Sequence, residues 1–165
     1  MQDDDVNFCN FDTIVFVKPD EYKVVKCGTI YTVVGTCISV LLWDKEKRTG
    51  GLAHYRMAKS RSGFSVYKGG EELLEEMYDK MVVLGSKSKN IEAVIIGGIA
   101  SDRILAQKIV EENIEVAKKF LESKNINLRS MKTGSDYPLR IRFYMKDGKI
   151  TVQKIKFRGK DDDKI

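Results

Sequence analysis

Proline, histidine and cysteine are scarce in this chain, and each shortage removes a class of explanation. There are two prolines, Pro19 and Pro138, and no stretch rich in Pro, Gly or Ser, so no linker or low-complexity segment is expected. A single histidine, His54, and three cysteines, Cys9, Cys27 and Cys37, without a Cys-x-x-Cys pair make a tight zinc site a poor fit. An odd cysteine count argues against a disulfide framework. No apolar run approaches the roughly 20 residues of a membrane helix, so no membrane insertion is expected. The N-terminus, MQDDDVNFCN, is acidic, the wrong sign for a secretory signal, and points to the cytoplasm. No internal repeat is found.

What is present is a chain of 165 residues, 42% hydrophobic and 32% charged. That is enough for one soluble domain with its own core. The net charge is +5, but Lys and Arg are scattered among acidic residues, and no recognition helix or RNA-binding aromatic motif stands out. Nucleic acid is therefore not an expected partner. Residues 1–5 and 159–165 are charged and read as disordered tails, which leaves 6–158 as the domain.

Short β-branched runs predict strands over 13–18, over 23–34 with an interruption near Gly28, over 37–43 and over 51–56. Leu73, Leu74, Met77, Tyr78, Met81 and Leu84 lie on one face of a helix over 71–84, and Gly85 suits its stop. A buried strand over 93–96 ends in Gly97-Gly98, and a second amphipathic helix covers 106–123. Strands follow at 127–133, 139–146 and 149–157, with Asp147-Gly148 as a hairpin turn. Residues 57–70 hold few apolar anchors and read as a mobile basic loop. Helices and strands do not alternate regularly, which favours an α+β fold, a layered mixed β core with two main amphipathic helices.

Three residues carry potential chemistry. Cys37 follows a Gly35-Thr36 turn at the end of an apolar strand, where nearby backbone N–H groups can lower a thiol pKa and bind an oxyanion. By itself it reads more readily as a small core hydrophobe, the usual fate of a free cysteine. His54, alone, reads as a half-buried structural histidine, but a thiol needs an adjacent base and this is the one imidazole in the chain. Thr32, on the strand before Cys37, is either a β-branched strand residue or the group that orients the imidazole. Gly97-Gly98 lacks the spacing of a phosphate loop and reads as a tight turn or close backbone approach. Thr133-Gly134-Ser135-Asp136 is turn chemistry.

The order of these features resembles the CheD family of chemoreceptor glutamine deamidases from about Asp12 to Phe157. The likeness rests on Thr32-Val33-Val34-Gly35-Thr36-Cys37 and on Gly51-Leu52-Ala53-His54, 17 residues apart from Cys37 to His54. It also rests on Ile95-Ile96-Gly97-Gly98-Ile99-Ala100, on Asn113 before Val116-Ala117-Lys118-Lys119-Phe120-Leu121, and on Thr133-Gly134 before Arg140. The resemblance implies a catalytic Cys37, His54 and Thr32, with Gly35 and Thr36 near the oxyanion and no metal or organic cofactor. It implies methyl-accepting chemotaxis receptors as substrates and a CheC-type response-regulator phosphatase as partner. The alternative is a chain that chiefly binds and regulates that phosphatase. The family turn before the cysteine is one residue longer, so Tyr31 or Thr32 can occupy the threonine's place. Thr32 is the choice because a deletion sits more easily in a turn than in a strand. Arg61 and Lys68, in the basic loop after His54, are expected to hold an acidic receptor surface.

Overall fold

The computed structural model describes residues 10–60 and 67–156. Nine strands and two helices follow one another as β1 (Ile14–Phe16), β2 (Glu21–Val25), β3 (Thr29–Val34), β4 (Ile38–Asp44), β5 (Thr49–Tyr55), α1 (Gly70–Val83), β6 (Ile91–Gly97), α2 (Ile104–Ser123), β7 (Asn127–Thr133), β8 (Leu139–Tyr144) and β9 (Ile150–Lys154). They form two sheets, one of order β1-β3-β8-β9 and one of order β2-β5-β4-β6-β7. Each sheet is mixed: β1 runs parallel to β3 and β6 parallel to β7, while the other pairs are antiparallel. The expected α+β layered fold is the observed one.

The side-chain period of two in a strand builds the layers. On β4, Ile38, Val40 and Leu42 point to one face and join Leu73, Leu74, Met77 and Met81 of α1 and Ala117, Phe120 and Leu121 of α2. The alternate residues, Leu41 and Trp43, point to the other face and meet Ile30 and Val34 of β3 and Leu139, Ile141 and Phe143 of β8. The five-stranded sheet is therefore covered by helices on one side and by the four-stranded sheet on the other. That is why every residue of β4 and β5 is buried and why β4, broken only by Ser39, reads as an apolar run from Ile38 to Trp43 rather than an alternating one.

Both helices stop in the same way. Ser86 N–H bonds Met81 C=O and Gly85 N–H bonds Val82 C=O; Ile126 and Asn125 repeat the pattern on Leu121 and Glu122. This is the Schellman arrangement, with Gly85 and Asn125 as its left-handed residues. The expected interruption at Gly28 is a change of sheet: β2 and β3, taken together as one strand in the sequence, belong to different sheets. A Cβ on Gly28 would lie 2.3 Å from the Thr13 carbonyl oxygen, so this corner demands a glycine.

The expected terminal tails and residues 61–66 of the expected mobile loop lie outside the described residues. The ends of that loop are tied: Gly70 N–H donates to Met57 C=O and Glu71 N–H to Ala58 C=O. Cys27 is disulfide-bonded, which corrects the expectation of a chain without one. An odd count leaves one thiol over but does not forbid a pair. Cys37 is a free cysteine. Among the described residues no helix is long and apolar enough to cross a membrane.

Candidate active site

The space between the two sheets is apolar except at one end. There, Thr32 from β3 meets His54 from β5 across the layer. Thr32 faces inward because it alternates with Tyr31 and Val33 and shares its face with Ile30 and Val34. His54 faces the same space because it shares its face with Leu52. Thr32 is fully buried and His54 is 2% exposed.

The hydrogen bonds there define the imidazole's tautomer. Thr32 Oγ1 lies 2.7 Å from the Val17 carbonyl oxygen and 2.8 Å from His54 Nδ1. A carbonyl only accepts, and a hydroxyl has one proton. The Thr32 hydroxyl therefore donates to Val17 and accepts from Nδ1–H. The proton of the neutral ring is on Nδ1, and Nε2 carries a free lone pair. Nε2 is buried with no hydrogen-bond partner, the Cys37 thiol included.

Cys37 stands one residue before β4. Within the β4–β5 pair, Ser39 is directly opposite His54. Cys37 is two residues before Ser39, in the bend that leads into β4; strand alternation continued through it would place it diagonal to His54, roughly 7–8 Å away. Ser39 itself is fully buried, and its hydroxyl also lacks a partner.

The turn that carries Cys37 is held from outside the strand. Its Gly35 carbonyl accepts Ile99 N–H at 3.0 Å and the Cys37 carbonyl accepts Gly98 N–H at 2.9 Å. Gly98 C=O in turn accepts Gly134 N–H, and Ala100 N–H donates to Ser135 C=O. Gly97 has φ +128, and a Cβ on it would come 2.3 Å from the Cys37 carbonyl oxygen. The glycine this turn needs most is thus Gly97, on the neighbouring strand. A Cβ on Gly35 would make only ordinary contact, 3.5 Å from Ile99.

An ion pair borders the site. Asp20, in the left-handed region at φ +64, donates its N–H to the His54 carbonyl at 2.7 Å. Its carboxylate accepts Arg56 N–H at 3.2 Å and Arg56 Nε–H at 2.7 Å. Asn113 of α2 closes the same corner, its Nδ2 donating to the Arg56 carbonyl and its own carbonyl accepting the Tyr55 hydroxyl.

Electrostatically the resting pair is neutral. Burial draws the His54 pKa from its ordinary 6.5 down to about 4, with Asp20 opposing and Arg56 reinforcing the shift. Burial also pushes the Cys37 thiol up, helped by Asp20 and opposed by Arg56 and the Cys37 backbone amide. Near pH 7 the site holds a thiol and a neutral imidazole rather than a preformed ion pair.

A stability test follows from the His54 shift. Between pH 6.5 and 4 the unfolded chain holds this proton and the folded chain does not, so stability rises with pH across that window. His54's contribution is complete above about 6.5 and falls as the pH drops toward 4, by up to roughly 3 kcal/mol. Urea unfolding at several pH values should show a steeper acid loss for the wild type than for His54→Gln. Parallel curves would refute the assignment.

The expected site residues divide as follows. Thr32 and His54 meet in a hydrogen bond, while Cys37, with Gly35 and Thr36 in the turn before it, stands at the start of the neighbouring strand β4 without a hydrogen bond to His54 Nε2. Tyr31 points away, its ring 5.6 Å from that of Phe16 and 5.6 Å from the Arg142 guanidinium. Lys68 ion-pairs with Glu76 of α1 and lines a cavity of about 260 Å³ that also includes Asp20 and Arg56. Arg61 lies outside the described residues. Asp20, Ser39 and Asn113 were not expected as parts of this corner; the one local sign of Asp20 is its place after Pro19, where the strand over 13–18 must end.

The family model described as CheD chemotactic sensory transduction matches residues 52–154. A Methanococcus maripaludis protein named probable chemoreceptor glutamine deamidase CheD is 30% identical over 146 residues, covering 86% of this chain and 95% of its own. A Methanococcus vannielii protein of the same name is 30% identical over 130 residues, covering 76% and 84%. A Bacillus licheniformis hypothetical protein, YfiH, is matched at a TM-score of 0.47 with 16% identity, over 70% of this chain and 50% of its own.

Proposed function

This chain belongs to the CheD family, and from that premise we propose that it deamidates glutamine side chains of chemotaxis receptors by a thiol mechanism, with Cys37 as nucleophile and His54 as general base. The observation that carries the reading is the hydrogen-bond chain Val17–Thr32–His54. It protonates Nδ1 and leaves Nε2 as a bare base on the face where strand alternation would place Cys37.

In the proposed reaction His54 Nε2 takes the thiol proton as sulfur attacks the carboxamide carbon. The Nδ1–H bond to Thr32 keeps the ring in the tautomer that accepts at Nε2. Backbone N–H groups of the turn at Gly35, Thr36 and Cys37 hold the oxyanion. The imidazolium then gives its proton to the departing nitrogen, ammonia leaves, and a thioester remains. A water deprotonated by His54 attacks that thioester, returning glutamate and the Cys37 thiol. A low-pKa imidazole stays unprotonated at rest and, once charged, passes its proton on readily; toward a buried thiol it is a weak base, so the proton must move as the sulfur attacks rather than before. The pathway requires no metal or organic cofactor. The family likeness supports a CheC-type phosphatase as a partner, and the basic residues Arg61 and Lys68 after His54 as contacts to an acidic receptor surface.

The test is ammonia release from a purified receptor cytoplasmic fragment, with mass spectrometry locating the glutamines converted to glutamate. A fragment that keeps every glutamine, with Cys37 intact, would reject the proposal.

Thr32 gives a sharper check. Thr32→Val preserves shape and removes the acceptor for Nδ1–H, so kcat should fall roughly 10- to 100-fold, the value of one to two lost orienting hydrogen bonds. KM should hold, and Cys37 should still be alkylated. Thr32→Ser should restore most of kcat, and Tyr31→Phe should leave it unchanged. Full activity in Thr32→Val would remove Thr32 from the machinery.

A further inference from the structure

Arg56 is constrained far more than a solvating surface residue needs to be. Its backbone N–H and its Nε–H both go to the Asp20 carboxylate, at 3.2 and 2.7 Å. Its Nη2 approaches the same carboxylate at 2.5 Å. Its guanidinium lies over the Tyr67 ring, 4.6 Å from the centroid, and its carbonyl is held by Asn113. The side chain nonetheless remains 49% exposed, while that of Asp20 is only 6% exposed. A guanidinium has five N–H donors. Two are directed at Asp20, through Nε and Nη2, which leaves three. The result is a fixed planar donor plate, ordered before any ligand arrives, at the rim of an open cavity of about 260 Å³.

This plate adjoins the thiol. Tyr55 pairs with Ile38 in the β4–β5 ladder, so one step further along places Arg56 beside Cys37. The Arg56 charge draws the Cys37 thiol pKa down, against the upward pull of burial and Asp20. The cavity rim also carries Lys59 and Lys68, whose partners Glu71 and Glu76 lie outward on α1. A planar fork of this kind matches a carboxylate, which it binds through paired N–H donors.

We infer that Arg56, held against Asp20 and over Tyr67 beside Cys37, is a carboxylate-recognition element that takes an acidic side chain of the substrate segment next to the glutamine whose amide is attacked. Because Asp20 already balances the charge, the fork selects by geometry as well as by sign. The substrate class is thereby narrowed to glutamines with an acidic neighbour. This deepens the deamidase reading and rests on it, but its first test does not.

That first test uses iodoacetate and iodoacetamide, nearly equal in size and differing in one negative charge. Alkylation of Cys37 by each is followed by mass spectrometry, and the ratio of the two rates cancels any change in the thiol itself. Arg56→Met should lower the iodoacetate-to-iodoacetamide ratio roughly three- to tenfold, the weight of one half-screened charge near a surface. Arg56→Met leaves Asp20 unpaired and can compromise folding. The double variant Asp20→Asn/Arg56→Met removes both charges and should still lower the ratio, though by less, because no unpaired Asp20 carboxylate remains to repel iodoacetate. Arg56→Lys should keep most of it. A ratio unchanged in both Arg56→Met and the double variant overturns the proposal.

The second test compares peptides in which the target glutamine adjoins Glu or Ala. The wild type should prefer the Glu peptide through KM, and Arg56→Met should abolish that preference, so that the two peptides become equal substrates. Equal KM for the two peptides in the wild type also overturns the proposal. If neither peptide nor receptor fragment releases ammonia while the alkylation ratio responds to Arg56, the deamidase reading falls and the carboxylate site stands.

Discussion

Cys37→Ala is expected to abolish ammonia release from a receptor fragment, by roughly 10,000-fold or more, because no other group can form the thioester. The fold should survive. Cys37 is half-buried in a turn whose backbone is held by Gly98 and Ile99, and removing one sulfur there should cost about 1 kcal/mol. Cys37→Ser is the more telling variant. A serine hydroxyl is far less acidic than a thiol, and the base facing it has a pKa of only about 4. The serine enzyme should therefore be as inactive as the alanine one, although its geometry is nearly unchanged. Circular dichroism and urea unfolding establish that the variants are folded, and ammonia is measured on the same samples. Retained turnover in either variant would show that Cys37 is not the nucleophile.

Replacing His54 with glutamine should lower kcat roughly 100- to 10,000-fold, the usual weight of a general base. The loss should be specific to the reaction that needs proton transfer. Deamidation uses the imidazole twice, to take the thiol proton and to protonate the leaving nitrogen. Alkylation by iodoacetamide at alkaline pH needs only thiolate, which hydroxide supplies. Deamidation should thus collapse while alkaline alkylation of Cys37 changes little. A loss of deamidation below about threefold would point to a different base. A parallel loss of both reactions would indicate that the substitution has displaced Cys37 rather than removed a base.

The elements themselves were legible because their patterns are local. The apolar positions of α1 repeat at helical spacing, and Gly85 marks its end by the same hydrogen bonds the structure shows. β7 spans Asn127–Thr133, the range read from its residues, and the turn at Asp147-Gly148 closes the β8–β9 hairpin, with Gly148 N–H on Tyr144 C=O. The assignment of strands to sheets was not legible. The run over 23–34 looks like one interrupted strand, and nothing in Lys23 or Ile30 says that they face different partners. That depends on pairings with β5 and β8, residues distant in the chain.

The candidate site divides along the same line. The glycine turn marked Cys37 among three cysteines and His54 is the single imidazole, but it was the likeness to the CheD family that gave both a catalytic role. Set against the family motif, a one-residue deletion falls more easily in the turn than in the strand, where it would flip every side chain, and that is why Thr32 was preferred over Tyr31. What the chain could not reveal is that Thr32 and His54 come from separate sheets and meet across the layer between them, or that Val17 sets the direction of their hydrogen bond. Asp20, Ser39 and Arg56 gain their meaning only there. Tautomer, burial and charge coupling are properties of contacts between strands far apart in sequence, and such contacts exist only once the two sheets have packed.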